Sequence, residues 1–148
     1  MLHSENTRIL LVNDNKRVCD VVGIILESRG YEVDVASNWD EAIEKSKTNA
    51  YNLAALDTGL SDIESKKLLR TLHETCPEMI RIIGTEITRP QDFVDAFSDC
   101  AEGYFPKPVE PSRLVSMIEE KLEDQKYARM ARGTKQRAHI GSKTKKLL

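Results

Sequence analysis

Short apolar runs rich in branched residues alternate along this chain with longer stretches of helical periodicity, and this alternation limits the available folds most. The runs are Ile9-Leu-Leu-Val12, Leu53-Ala-Ala-Leu56, Ile80-Arg-Ile-Ile83 and Tyr104-Phe105. Runs this short read as buried parallel strands, and the stretches between them as helical crossovers. Strands are expected at 8–13, 31–35, 52–56 and 79–84, with a fifth after Gly103. Asn15 reads as the N-cap of a first helix with the stripe Val18, Val21, Val22, Ile25 and Leu26, and Gly30 as its end. A second helix spans about 39–48, with Trp39, Ala42 and Ile43 inward, and a third carries Leu68, Leu69 and Leu72 before Pro77. Thr88 is expected to cap the fourth, with Pro90 in its first turn and Gln91 three residues on. Pro111 opens the fifth, with Leu114, Ile118 and Leu122 inward. Five βα units in succession give an α/β fold, a three-layer sandwich around a parallel sheet.

Where the strands end is informative. Asp14, Asp57, Thr85 and Lys107 each stand at, or just past, the end of a strand. In an open parallel sheet the carboxyl ends of the strands converge on one rim, where ligands bind. Two acids, a hydroxyl and an ammonium group would then share a pocket, an arrangement suited to magnesium-assisted phosphoryl acceptance. Taken singly, each has an ordinary reading. Asp14 could cap a helix, Asp57 could be a turn residue, Thr85 could begin a loop, and Lys107 could be a solvated lysine. Taken jointly, chance would have to place each type after the correct strand.

Composition sets the outer bounds. The 148 residues, 40% of them apolar, suffice for one domain with its own core. No apolar run approaches the roughly 18 residues of a membrane span. The first residues lack the charged and apolar regions of a signal peptide, and Cys19, Cys76 and Cys100 have no metal-like spacing. Reduced thiols in a cytoplasmic protein are expected. From Asp124 onward there are eight basic residues and one acid, leaving 14 basic and 23 acidic residues before it. The body, 1–123, is therefore near −9 and the extension, 124–148, near +7. The extension is expected to continue the last helix through Tyr127 and Met130, end near Gly133, and then be flexible. An acidic body disfavours nucleic acid except weakly through this basic tail. His3, His73 and His139 share no spacing suited to a metal or a phosphohistidine relay.

At these residues the chain resembles the receiver domain of two-component response regulators, over about 7–123. The resemblance implies a doubly wound, flavodoxin-like sheet in strand order 2-1-3-4-5. It also implies transfer of a phosphoryl group from a sensor histidine kinase, or a phosphotransfer protein, to Asp57 in Leu56-Asp57-Thr-Gly-Leu-Ser-Asp. Mg²⁺ would be held by Asp14, Asp57 and the backbone carbonyl of Gly59. Lys107, in Phe105-Pro-Lys-Pro108, would pair with the acceptor and then with the phosphoryl group, and Thr85 would donate to a phosphoryl oxygen. Tyr104 would follow Thr85 inward as the switch aromatic, although a half-buried strand aromatic is also ordinary packing. The face made by the fourth helix, fifth strand and fifth helix would change for a downstream protein, with a homodimer through that face a further expectation. The Lys107–Pro108 bond is expected to be cis. Such a protein is a signalling switch that catalyses only its own phosphorylation and dephosphorylation.

The chain departs from that pattern at three places. Asn13 replaces an acid, so metal affinity is expected to fall. Glu86, where a small residue is usual, is expected either to narrow the pocket or to turn outward. Ser61 and Ser65 replace a proline and a glycine, which loosens the loop after the acceptor. Asn13 and Glu86 favour an alternative on the same fold, a degenerate receiver that binds partners without phosphorylation. A flavin or nucleotide enzyme is disfavoured, because no glycine-rich fingerprint follows a strand. No second folded domain is evident, so the protein either acts by docking or is part of a longer chain.

Overall fold

The computed structural model describes residues 7–57, 61–87 and 89–141, apart from the side chains of Asp62 and of residues 132–141. Strands and helices alternate as β1 (Arg8–Asn13), α1 (Lys16–Ser28), β2 (Glu32–Ala36), α2 (Trp39–Thr48) and β3 (Leu53–Asp57), followed by α3 (Asp62–Thr75), β4 (Ile80–Thr85), α4 (Pro90–Phe97), β5 (Gly103–Pro106) and α5 (Pro111–Gly141). The strands form one sheet in the order β2-β1-β3-β4-β5, and every pairing is parallel. This is the doubly wound α/β arrangement expected from the sequence. Its register sets Asn13 level with Asp57 across β1 and β3, and Thr85 level with Pro106 across β4 and β5.

Alternation along the strands sends side chains to opposite faces, so the sheet carries two cores. On one face Leu10, Val12, Leu56 and Ile83 pack with Leu68, Leu69 and Leu72 of α3 and with Phe93 and Phe97 of α4. On the other Ile9, Leu11, Ile82 and Phe105 pack with Val22 and Leu26 of α1 and with Leu114 and Ile118 of α5. Fully burying one such leucine contributes roughly 1.5–3 kcal/mol. The β4 run contains a charge, Arg81, which is buried. It is accommodated because its guanidinium donates to Leu69 O at 3.0 Å and pairs with Glu102 at 2.9 Å.

The boundaries and faces differ from expectation in several places, each for a local reason. Asn15 caps α1 as expected, accepting from Val18 N. Val21, placed in the buried stripe, is instead exposed, and the buried positions are Cys19, Val22, Gly23 and Leu26. Tyr31 does not begin β2, because its N–H closes the end of α1 on Leu26 O while Gly30 turns at φ 96°. The strand starts one residue later. The N-cap of α4 is Arg89, without a side-chain cap, and Pro90 occupies its first turn; Thr88 lies outside the described residues. Gly133 does not end α5, which continues to Gly141. One interior glycine costs a helix only about 1 kcal/mol, and Ala128, Ala131, Arg132, Lys135 and Gln136 around it are good helix formers. Gln125 Nε2 donates to Glu78 O at 2.9 Å, and Arg129 meets the Glu78 carboxylate at 3.7 Å, which pins α5 to the rim below β4. No helix among the described residues is long and apolar enough to cross a membrane.

Tyr31, Arg29 and Glu119 tie α1 to α5. The Tyr31 hydroxyl donates to Glu119 Oε2 at 3.1 Å, and Arg29 pairs with the other carboxylate oxygen. Burial, and then the Glu119 charge, push the Tyr31 phenol up to about 12. The phenol is neutral when protonated, so its contribution to stability is complete below the unfolded value near 10 and is lost as pH rises toward about 12. Tyr51, which donates to Asp34 at 2.6 Å, is raised in the same sense. Urea midpoints are expected to fall across that window more steeply for wild type than for Tyr31→Phe. Equal slopes would remove the assignment to Tyr31.

Candidate functional site

The carboxyl ends of β1, β3, β4 and β5 bring four of the expected residues to one rim. Asp57 closes β3 and Lys107 follows β5 directly. The Lys107 ammonium lies 3.3 Å from Asp57 Oδ1, each side chain about a quarter exposed (26%). The Lys107–Pro108 peptide is cis, as expected. Thr85 ends β4 and is buried. Its hydroxyl oxygen accepts from Ile87 N at 3.0 Å, and its carbonyl accepts from Lys107 N at 2.9 Å. The residue bearing the hydroxyl and the residue bearing the ammonium are thus joined through the backbone.

Asn13, read from the sequence only as a missing acid, has a defined contact. Its Nδ2 faces Asp57 Oδ2 at 3.5 Å, a long hydrogen bond. Its Oδ1 accepts from Asn15 N at 2.7 Å. The acceptor carboxylate therefore has an ammonium beside one oxygen and an amide N–H beside the other. Beneath it the floor is apolar, lined by Leu11, Val22, Ala55, Phe105 and Leu114. Cys19 also lies there, its thiol pushed up by burial and then by the charges of Asp20, Asp57 and Asp14. Asp14 itself is exposed at the mouth of the rim.

Gly84 is a site residue that sequence reasoning missed. A Cβ built there would come within 2.6 Å of the Phe105 ring and 3.3 Å of Asp57 Cγ. Glycine at this position lets the acceptor and the ring share the space beside β4. A glycine inside an apolar strand was the available signal. Glu86 is exposed, the outward alternative of the two expected. Ser61 caps α3 in a reciprocal capping box with Glu64, while residues 58–60 of the loop lie outside the described residues.

Asp14 and Asp57 stand on adjacent strand ends, while Gly59 lies outside the described residues. Among the described residues no group of three His, Cys, Asp or Glu side chains could hold a metal ion. Two carboxylates with oxygen donors only do fit Mg²⁺, which keeps several waters and takes one or two carboxylates from a protein. Of the three histidines, His73 is exposed on α3, and His3 and His139 lie outside the described side chains. Tyr104 sits on the other face of the sheet, half-buried, with its ring stacked on Phe93 of α4 at 4.2 Å between centroids.

Comparison with known proteins agrees with this geometry. The sequence model of the family described as response regulator receiver domain matches residues 9–119. The transcriptional regulatory protein DltR of Streptococcus agalactiae is 30% identical over 75% of this chain and 50% of its own length. ResD of Bacillus subtilis, also a transcriptional regulatory protein, is 32% identical over 80% of this chain and 49% of its own. The chain thus spans about half the length of the curated relatives it matches. Among solved structures, a CheY-like receiver domain protein from Methanospirillum hungatei superposes with a TM-score of 0.70 at 35% identity, covering 82% of this chain and 98% of that one.

Proposed function

The chain belongs to the response regulator receiver domain family, and from that premise we propose that it accepts a phosphoryl group on Asp57 and switches a protein-binding face in response. The donor would be a phosphohistidine of a sensor kinase or phosphotransfer protein, and the reader a downstream protein. The observation that carries this reading is the Lys107 ammonium on Asp57 Oδ1 at 3.3 Å. A carboxylate attacking a phosphoryl group brings negative oxygens together, so catalysis consists mainly of positioning and charge neutralisation. An Asp57 oxygen forms the new bond to phosphorus while the bond to the donor nitrogen breaks, and the imidazole leaves with that electron pair. The Lys107 ammonium then moves its pairing from carboxylate to phosphoryl oxygen, and the Thr85 hydroxyl donates to another. Asp14, Asp57 and the Gly59 carbonyl would hold Mg²⁺, which would supply further charge neutralisation.

The output follows from what the resting arrangement holds in place. Tyr104 stacks on Phe93, and Phe93 on Phe97, so the switch aromatic is coupled to α4. An inward turn of Tyr104 would dissolve the first stack and alter a face that already exposes Val94. Partners, or a second copy of the chain, that prefer one arrangement would shift the population between the two.

Incubation with acetyl phosphate and Mg²⁺ is expected to add one phosphoryl group to wild type, seen by intact mass, and none to Asp57→Asn. Modification that persists in Asp57→Asn would overturn the acceptor assignment. Wild type that stays unmodified would favour the phosphorylation-independent binding module instead.

A further inference from the structure

We propose that Asn13 is a positioning residue that sets this acceptor site for weak metal binding, by turning an amide N–H toward Asp57 where a cation ligand would otherwise stand. The inference rests on Asp57 being the acceptor. An asparagine side chain can present either its oxygen or its nitrogen to a neighbour, and here the choice is determined by the backbone. The N–H of Asn15 needs an acceptor and finds Asn13 Oδ1 at 2.7 Å. The amide nitrogen is thereby directed at Asp57 Oδ2, 3.5 Å away. Presenting the amide oxygen to a cation would break the shorter of these two bonds and orphan the Asn15 N–H at the start of α1.

Two consequences follow from the chemistry. The side chains left to a cation site are the carboxylates of Asp14 and Asp57, so Mg²⁺ is held weakly. The acceptor nevertheless keeps a donor on each oxygen, the Lys107 ammonium on Oδ1 and the Asn13 amide on Oδ2. Above an apolar floor, such donors are worth more than in water. A share of the phosphoryl-transfer rate therefore survives metal removal. When acetyl phosphate is the donor, an Asp57 oxygen bonds to phosphorus and acetate departs with the electrons of the broken P–O bond; the Asn13 and Lys107 donors stabilise that rearrangement without being consumed.

Calorimetric titration of the unphosphorylated full chain with MgCl₂ tests the first consequence without any turnover. Asn13→Asp is expected to bind Mg²⁺ at least about tenfold tighter than wild type, through an added anionic oxygen. Asn13→Ala is expected to bind it within about threefold of wild type, since the amide is no ligand. A Kd for Asn13→Asp within twofold of wild type would overturn the proposal, as would a loss of more than tenfold in Asn13→Ala.

The second consequence is read as the ratio of acetyl phosphate labelling rates in saturating Mg²⁺ and in EDTA. That ratio is expected to be about tenfold larger for both variants than for wild type. Equal ratios would overturn the donor role. If Asp57 is not labelled in any variant, the phosphoryl-acceptor reading itself has failed, and the titration still decides the role of Asn13 in metal binding.

Discussion

Lys107→Ala is expected to slow phosphorylation of Asp57 by acetyl phosphate about 10²–10³-fold, the usual loss when one preorganised donor is removed from a developing charge. Its ammonium is 3.3 Å from Asp57 Oδ1 at a rim only a quarter exposed (26%), so water replaces it poorly. The fold should be almost unaffected, because a partly solvated ion pair of this kind contributes about 0–1 kcal/mol. Intact-mass time courses at saturating Mg²⁺, with circular dichroism to check folding, separate the two effects. A rate within twofold of wild type in a folded Lys107→Ala protein would mean that this ammonium does not assist transfer.

Gly84→Ala should damage both stability and the site. The new methyl carbon would meet the Phe105 ring at 2.6 and 2.9 Å and Asp57 Cγ at 3.3 Å. Phe105 is fully buried, with Leu114 and Ile118 of α5 in the same core, so the ring has little room to yield. Overpacking of this kind costs about 1–3 kcal/mol and lowers Tm by roughly 3–12 °C for a domain this size. Asp57 is displaced by the same contact, so labelling by acetyl phosphate should slow as well. Adding Phe105→Leu removes the ring edge. The methyl group at position 84 should therefore cost less in that background, a coupling that a double-mutant cycle measures. Strict additivity would place the strain elsewhere.

What the sequence made legible, and what it hid, divides along a physical line. Strand ends in a parallel sheet share a rim whatever their loops do, so the meeting of Asp57 with Lys107 could be anticipated from positions alone. The same holds for Leu68, Leu69 and Leu72, whose spacing leaves only one helical face to bury. Asn13 was opaque because the direction of its amide is determined by the Asn15 N–H, a backbone group that no side-chain pattern encodes. Tyr31 looked like strand by alternation, yet its N–H is engaged in closing α1. Val21 and Val22 point roughly 100° apart on α1, and the face that buries Cys19, Val22 and Leu26 leaves Val21 outward. Gly133 misled because a lone glycine is a weak stop where its neighbours favour helix.

α5 leaves the acceptor rim at Pro111, is gripped near its middle where Gln125 and Arg129 hold Glu78, and runs on to Gly141. At 1.5 Å per residue the two arms on either side of that grip are roughly 24 and 21 Å long. The first arm is fixed in the core through Leu114 and Ile118 and tied to α1 through Glu119, so the helix carries its second arm past the pole of the sheet opposite the acceptor.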